Sequence, residues 1–432
     1  MKSQVFDFIG IGLGPFNLGL ACLSQPLSQL NAIFLEKKPQ FGWHTGMLLP
    51  GSTLQTPFLS DLVTMADPTS PFSFLNYLKQ NNRLYQFYIL ENFNPSRIEY
   101  NDYCNWAVKK LNNIIFEENV EEIDFLEDEK IYRIKSRNTQ NDTDTIYYTK
   151  RLVLGSGTQP FIPDHCQNLA QQACHTAQYL EQKPRLQQAS SITVIGSGQS
   201  AAEVFYDLLC DIERFPYHIN WITRSSRFFP LDYSKLTLEM TSPDYVDYFY
   251  GLPIKKRADL LDQQKPLFKG INLSLLEQIY QKLYALNLSE TPRVTMMTNA
   301  ELVSGHYHHD QKLYDLSLHQ KEQDRHIGIK TEALIFGTGY GYKEPEFLKP
   351  IKTRIAYLDN GQHDVSRHYT IDKNHNEIYV QNAELHSHGF AAPDLGMGCY
   401  RNSKILAHIC GHKIYKTEDR IAFQNFDPAA VL

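Results

Sequence analysis

Short apolar runs recur along this chain, and most of them stop at a glycine. VFDFIGIG (5–12) is apolar at nearly every position instead of alternating, the pattern of a strand buried on both faces of a parallel sheet. It breaks at a tight turn, and LGPFNLGLACLSQPL (13–27) predicts the helix that follows. NAIFLEKK (31–38) predicts a second strand. SSITVIGSGQSAAEVFYDLL (190–209) repeats strand, turn and helix, and HINWITRSSR (218–227) supplies the next strand. RLVLGSGTQP (151–160) and ALIFGTGYGY (333–342) also run apolar into Gly-x-Gly. LSLLEQIYQKLYAL (273–286) has helical spacing, and the aromatic-rich TSPDYVDYFYGL (241–252) reads as packing.

The turns carry the chemistry. Gly12 and Gly14 let the backbone approach a pyrophosphate, and the helix starting at Pro15 offers it free N–H groups and a positive dipole end. The third glycine of this fingerprint is replaced by Asn17. Glu36, 22 residues beyond Gly14, stands where an acid bonds an adenosine ribose. In the second turn Gly196, Gly198, Gln199, Ser200 and Ala201 repeat the arrangement. There the ribose-binding acid is missing, and Arg224 and Ser225 follow the strand. An arginine welcomes a 2′-phosphate that an acid would repel, so this turn is expected to take NADPH rather than NADH. Arg224 taken without the turn reads equally as a solvated surface residue.

Two such turns in one chain explain each other: one holds FAD and the other the nicotinamide that reduces it. The expected fold class is α/β, with two dinucleotide-binding Rossmann-like domains and a small helical substrate region. The FAD domain is expected over 1–185 and 333–432, the NADPH domain over 186–230 and 290–332, and the helical region over 231–289. Gly339 falls in the second crossover between the domains.

Composition removes several alternatives. With 42 Lys and Arg against 48 Asp and Glu, the net charge of −6 gives no basic footprint for nucleic acid. No apolar run reaches membrane-helix length, and the first residues lack the apolar core and cleavage site of a signal peptide. The seven cysteines are scattered, with no Cys-x-x-Cys, which argues against disulfides, a zinc site and dithiol redox chemistry and makes the cytoplasm the expected compartment. No metal is expected.

GLGPFNL, FGWHTGMLL, LQTPFLSDLVTMADPTSPFSFLNYL, GSGQSAAE, FGTGY and HSHGFAAPDLGMGCYRNSKIL occur in this order along the chain. Together they resemble the lysine 6-monooxygenase and ornithine 5-monooxygenase family of siderophore biosynthesis. The resemblance implies that NADPH reduces FAD, oxygen adds to give a flavin hydroperoxide, and a neutral primary amine is N-hydroxylated by it. The flavin then carries the chemistry and no protein nucleophile is needed. It also implies a homotetramer, with Trp43, His44 and Gln55 near the flavin ring and Asn272 near substrate and nicotinamide. A structural reading also stays open for Trp43 and His44. His175 and Tyr179 resemble the end of a flavin-monooxygenase fingerprint whose beginning is absent.

The segment PFLSDL departs from the family at one position. Amino-acid hydroxylases carry a lysine there that pairs with the substrate α-carboxylate; here the residue is Ser60, which has no charge to offer. The family's substrate-contacting asparagine matches Leu238, and Asp394 stands where ornithine enzymes have an uncharged residue. The expected substrate therefore lacks an α-carboxylate, with putrescine or cadaverine first and histamine next. Several readings stay open: Lys79 or Arg83 replaces the lost cation and the substrate is lysine or ornithine; Asp394 receives a second ammonium or caps a helix. Beyond this family, an NADPH-dependent flavin reductase or oxidase and an idle nucleotide-binding protein remain.

Overall fold

The computed structural model describes residues 4–288 and 293–427. Its frame is two five-stranded parallel sheets. The first runs, edge to edge, Ile378–Val380, Leu152–Leu154, Phe8–Ile11, Ala32–Glu36, Ile114–Phe116. The second runs Cys174–His175, Ala333–Phe336, Ser191–Ile195, His218–Ile222, Val294–Met297. In each sheet the strand that enters a glycine turn is central, so its C-terminal end opens into the crevice where such sheets bind ligands.

The all-apolar strands are buried on both faces because alternate side chains serve different cores. Phe8 and Phe34 join the helix Pro15–Ser24 and the last helix, Gly398–Cys410, in one cluster. Ile9, Ile11, Ile33 and Leu35 point the other way, into a cluster with Ile123, Tyr132 and Ile134 of a mixed sheet, antiparallel except for its first strand. That sheet has the order Val5–Phe6, Asp144–Thr149, Ile131–Asn138, Glu118–Leu126. The second half repeats the scheme: Ile192, Val194, Ile219 and Trp221 pack on the helix Gln199–Asp211, while Leu334 and Phe336 meet the antiparallel sheet Ala300–His308, Leu313–Gln320, Arg325–Thr331.

The crossovers are short and paired. Gln159–Pro160 bonds antiparallel to Tyr340–Gly341, so the outgoing and returning chains form one two-stranded link. One expectation is corrected at each. Ala333–Phe336 pairs with Ser191–Ile195, and Cys174–His175 pairs with Ala333–Phe336, so these strands complete the second sheet and not the first. The physical reason is edge satisfaction: the returning strand covers the open edge of Ser191–Ile195, and the short strand covers the edge of the returning strand.

Between the strands His218–Ile222 and Val294–Met297 of the second sheet the chain forms the helices Lys235–Leu238, Pro243–Gly251, Ile254–Gln263, Lys265–Lys269 and Leu273–Asn287, over the expected helical region. The expected limit at 289–290 falls outside the described residues. The aromatic stretch does pack, with Tyr245 and Phe249 against Phe390. Among the described residues no helix is long and apolar enough to cross a membrane.

Candidate active site

At the first turn Gly12 has φ +84°, and a β-carbon there would lie 2.6 Å from the Gly155 carbonyl. Gly14 caps the helix with Pro15 in its first turn, and nothing lies within 4 Å of where its β-carbon would be. That open space, faced by helix N–H groups, fits a pyrophosphate. Asn17 is fully buried: its amide donates to the Gly12 carbonyl at 2.7 Å and accepts from Gln381 Nε2 at 2.7 Å. Asn17 thus spends its amide on the protein, bracing the turn instead of presenting it to a ligand. Glu36 also braces the turn, accepting from the N–H groups of Leu13 (2.7 Å) and Lys38 (3.0 Å). Its carboxylate retains lone pairs for a ribose hydroxyl.

The second turn is built alike. Gly196 has φ +134°, and a β-carbon would fall 2.2 Å from the Gly337 carbonyl. Gly198 caps the helix Gln199–Asp211, with Ser200 in its first turn. Near Gly198 the nearest atom to a β-carbon position is the Lys269 carbonyl, at 3.7 Å. Arg224 is 70% exposed and only loosely paired with Glu301, at 3.7 Å, while Glu301 bonds Lys321 at 2.7 Å. Ser225 lies in the same bend, its N–H donating to Thr223 Oγ1. Burial and the charges of Lys265 and Arg224 push the Lys269 ammonium pKa down, so basic side chains lie near one another here, Lys265 paired with Asp262 and Arg224 loosely with Glu301.

A polar relay runs from Gln55 and Arg97 to the helix after the second turn. Gln55 Nε2 donates to Gln199 Oε1 at 3.3 Å, and the same oxygen accepts the Asn272 N–H at 2.8 Å. Gln199 Nε2 donates to Glu203 Oε1 at 2.8 Å, and Arg97 Nη1 meets Glu203 Oε2 at 2.7 Å. Asn272 caps the helix Leu273–Asn287 through Oδ1, which leaves its position set by backbone. Gln199 and Gln55, expected at separate cofactors, are therefore in contact. Arg97 and Glu203 were missed by sequence reading. Both stand in ordinary helical sequence, and nothing local marks them.

On the flavin side Trp43 packs edge-on to Tyr100 at 5.4 Å and to His44 at 4.7 Å. His44 adopts φ +50° and meets Tyr340 edge-on at 5.4 Å; Tyr340 meets His175 at 5.3 Å. Crowding by the protein, then the charges of Arg97 and Lys38, push the His44 pKa down to about 4, so its ring is neutral at pH 7. His175 Nδ1 accepts the Ala177 N–H, so Nε2 carries the proton and donates to the Gly339 carbonyl at 3.1 Å. His175 thereby holds the crossover residue Gly339, which has φ +85°. Tyr179 is fully buried and bonds Asp207 at 2.6 Å, a packing role.

On the substrate side Ser60 Oγ and Asp394 Oδ1 lie 3.1 and 3.0 Å from one point, the position a β-carbon on Gly396 would take. Asp394 does cap a turn, its Oδ1 accepting the Gly396 N–H at 2.6 Å, which occupies one oxygen. Burial pushes its pKa up, opposed by that N–H and by Arg401. Arg83 is taken by Glu99 at 2.9 Å, and Lys79 is exposed in the last turn of the helix Phe74–Gln80, so neither is offered to Ser60. Leu238 ends the short helix Lys235–Leu238 with its side chain exposed.

Two glycine turns on two parallel sheets, joined by a paired crossover, define a two-dinucleotide flavoprotein. Residues 4–342 match the L-lysine 6-monooxygenase/L-ornithine 5-monooxygenase family, and the chain belongs to it: a flavin-dependent N-hydroxylating monooxygenase. It is 49% identical to a putrescine N-hydroxylase of Shewanella oneidensis, over 100% of this chain and 86% of that protein. It is 45% identical to a putrescine N-hydroxylase of Acinetobacter baumannii, over 99% and 95%. The fold matches the FAD-bound cadaverine monooxygenase of desferrioxamine biosynthesis from Erwinia amylovora with TM-score 0.96 and 50% identity, over 98% of this chain and 99% of that one.

Proposed function

We propose that this enzyme N-hydroxylates a linear diamine, putrescine or cadaverine, for siderophore biosynthesis, with FAD on the first turn and NADPH on the second. The carrying observation is that Asp394 and Ser60 converge at Gly396, where an α-amino-acid enzyme would need a cation for the carboxylate. The names of the relatives at 45–50% identity support the same substrate class.

FAD, once reduced by NADPH, supplies the activated oxygen. The protein positions and tunes the amine. A free alkylamine has a pKa of about 10, and its nitrogen must lose a proton before it reacts. Burial, then the charges of Arg97 and Lys38, push His44 down to about 4, and the same surroundings disfavour an ammonium at the flavin end. Asp394 favours one at the far end. A diamine thus meets a field that keeps one nitrogen neutral and the other charged. Gln55, Gln199 and Asn272 hold the nicotinamide side against the flavin side through their shared bonds.

The sheet around Phe8–Ile11 forms the FAD unit and the sheet around Ser191–Ile195 the NADPH unit, with the helical region covering the crevice. We place the enzyme in the cytoplasm, supported by seven free cysteines, and as a homo-oligomer, a tetramer by the family resemblance, with the exposed apolar side chains of Tyr85, Tyr88, Ile89, Leu90 and Phe93 as a surface for self-association. Hydroxylamine formation is measured with FAD, NADPH and oxygen against putrescine, cadaverine, histamine, lysine and ornithine. Product chiefly from a diamine is expected; product chiefly from lysine or ornithine would overturn the reading, and peroxide alone would favour an oxidase.

A further inference from the structure

The last helix ends at Gly411, with φ +75°, and the chain beyond it runs to 427 with no helix or strand. A stretch of that length without regular structure is uncommon unless it serves a function, and its backbone groups must find partners. Its first half is fastened to helices that pack on the first sheet. Tyr415 donates its hydroxyl to the Leu23 carbonyl of the helix Pro15–Ser24 at 2.5 Å. Asp419 accepts from Lys404 of the helix Gly398–Cys410 at 2.8 Å and from Lys413 at 3.2 Å.

The second half is gripped by two carboxylates of the helical region. The N–H groups of Ile421 and Ala422 donate to Asp244 Oδ2 at 2.8 and 3.4 Å. Those of Phe423 and Gln424 donate to Glu239 Oε1 and Oε2, each at 3.0 Å. Gln424 Nε2 donates to the Leu236 carbonyl at 2.6 Å, and the Phe426 ring meets Tyr245 edge-on at 5.0 Å. Two carboxylates thus satisfy four successive backbone N–H groups through charge-assisted bonds. Asp244 is not needed as a cap, because Ser242 already caps the helix Pro243–Gly251 by accepting the Tyr245 N–H. That helix carries the grip to the substrate side. Val246 clusters with Ala391, Met397 and Tyr400, and Tyr245 and Phe249 pack on Phe390. Asp394 lies in the turn between Ala391 and Met397, so both ends of its turn rest on the helix that the strap holds.

We propose that Glu239 and Asp244 are positioning residues: by gripping the strap 421–426 they seat the helix Pro243–Gly251 on the turn 391–397 and so fix Asp394 for the unreacted ammonium of the diamine. The inference rests on the diamine reading and adds to it the device that holds the binding carboxylate in place. Neither acid touches the substrate. Releasing the strap frees the helix, the turn behind it loses its support, and the carboxylate is no longer held where the second nitrogen arrives. An amine without a second nitrogen does not use Asp394 and is little affected.

The test is the double variant Glu239→Ala with Asp244→Ala in the full-length holoenzyme, with Phe426→Ala as a second variant that loosens the same strap and keeps both carboxylates. Steady-state hydroxylation is compared for putrescine, cadaverine and n-butylamine, and amide hydrogen exchange is followed by mass spectrometry. The expected result is a fall of about tenfold in the ratio of kcat/KM for the preferred diamine over n-butylamine, carried in KM and not in kcat. Exchange should quicken over 243–251 and 391–397 and stay unchanged over Pro15–Ser24. Phe426→Ala should move the ratio and the exchange the same way. Equal losses for diamine and n-butylamine would mean a structural role and overturn the proposal. Faster exchange over 391–397 with an unchanged diamine KM would overturn it while leaving the diamine reading intact. A wild-type enzyme that prefers lysine or ornithine would overturn both.

Discussion

Arg97 Nη1 and Glu203 Oε2 sit 2.7 Å apart, with side-chain exposures of 12% and 5%, and they tie the helix Arg97–Val108 to the helix Gln199–Asp211 that follows the second glycine turn. Burial pushes the Glu203 pKa up, and Arg97 and Gln199 pull it back. The pair is the charged end of the relay that reaches Gln55 and Asn272.

Removing one partner leaves the other buried and unpaired. Glu203→Ala should cost about 3–5 kcal/mol of stability, and Arg97→Ala a similar amount. The double variant should lose markedly less than the sum. Urea denaturation of the FAD-loaded enzyme measures all three; additive losses would show that the pair is not coupled.

The two glycine turns should fail separately. Gly12→Ala puts a β-carbon against the Gly155 carbonyl at positive φ, a strain of about 1–3 kcal/mol before the clash is counted. It should purify colourless and stay so when FAD is added. Gly196→Ala meets the Gly337 carbonyl and should purify yellow, while its anaerobic reduction by NADPH slows by roughly 10- to 100-fold. Loss of flavin from both variants would mean the turns are not independent.

Ser60→Lys supplies a cation beside Asp394. The new ammonium would pair with that carboxylate and compete with the diamine, and would also attract an α-carboxylate. The kcat/KM ratio of ornithine over putrescine should rise by about tenfold or more. No change in that ratio would remove the carboxylate argument from Ser60.

Arg224 is nearly free, because Glu301 is held more closely by Lys321. Arg224→Ala should lower the preference for NADPH over NADH by roughly 10- to 100-fold, as expected for loss of a charged phosphate contact. NADP⁺ binding followed by flavin fluorescence checks the same change without turnover. A preference that survives the change would assign the 2′-phosphate to other residues.

His388 sets a pH dependence unrelated to the cofactors. It is buried, stacks on Tyr369 at 4.5 Å and lies 2.9 Å from Ser387 Oγ through Nδ1. Burial, then the charge of Arg367, hold its pKa well below the ordinary value. In the unfolded chain it takes a proton near pH 6.5. A depressed pKa gives a contribution that is present above about pH 6.5 and is lost as the pH falls below it, by up to about 1.4 kcal/mol per pH unit. The urea midpoint of wild type should drop more steeply between pH 7 and 5 than that of His388→Gln. Parallel slopes would show that another group governs the acid limit.

The sequence alone determined the parts whose information is local. A strand buried on both faces is apolar throughout, and a turn with positive φ before a helix asks for glycine, so both dinucleotide turns and the order of elements around them are written in contiguous residues. The missing lysine at Ser60 is likewise visible in a single segment. Only the tertiary structure decided which sheet Ala333–Phe336 joins, because strand pairing depends on which edge is left open. Only it showed that Asn17 spends its amide on the protein, that Gln199 bridges Gln55 and Asn272, and that Arg97 meets Glu203. Long-range contacts of this kind leave no periodicity, because each partner is fitted to a neighbour that is near only in space.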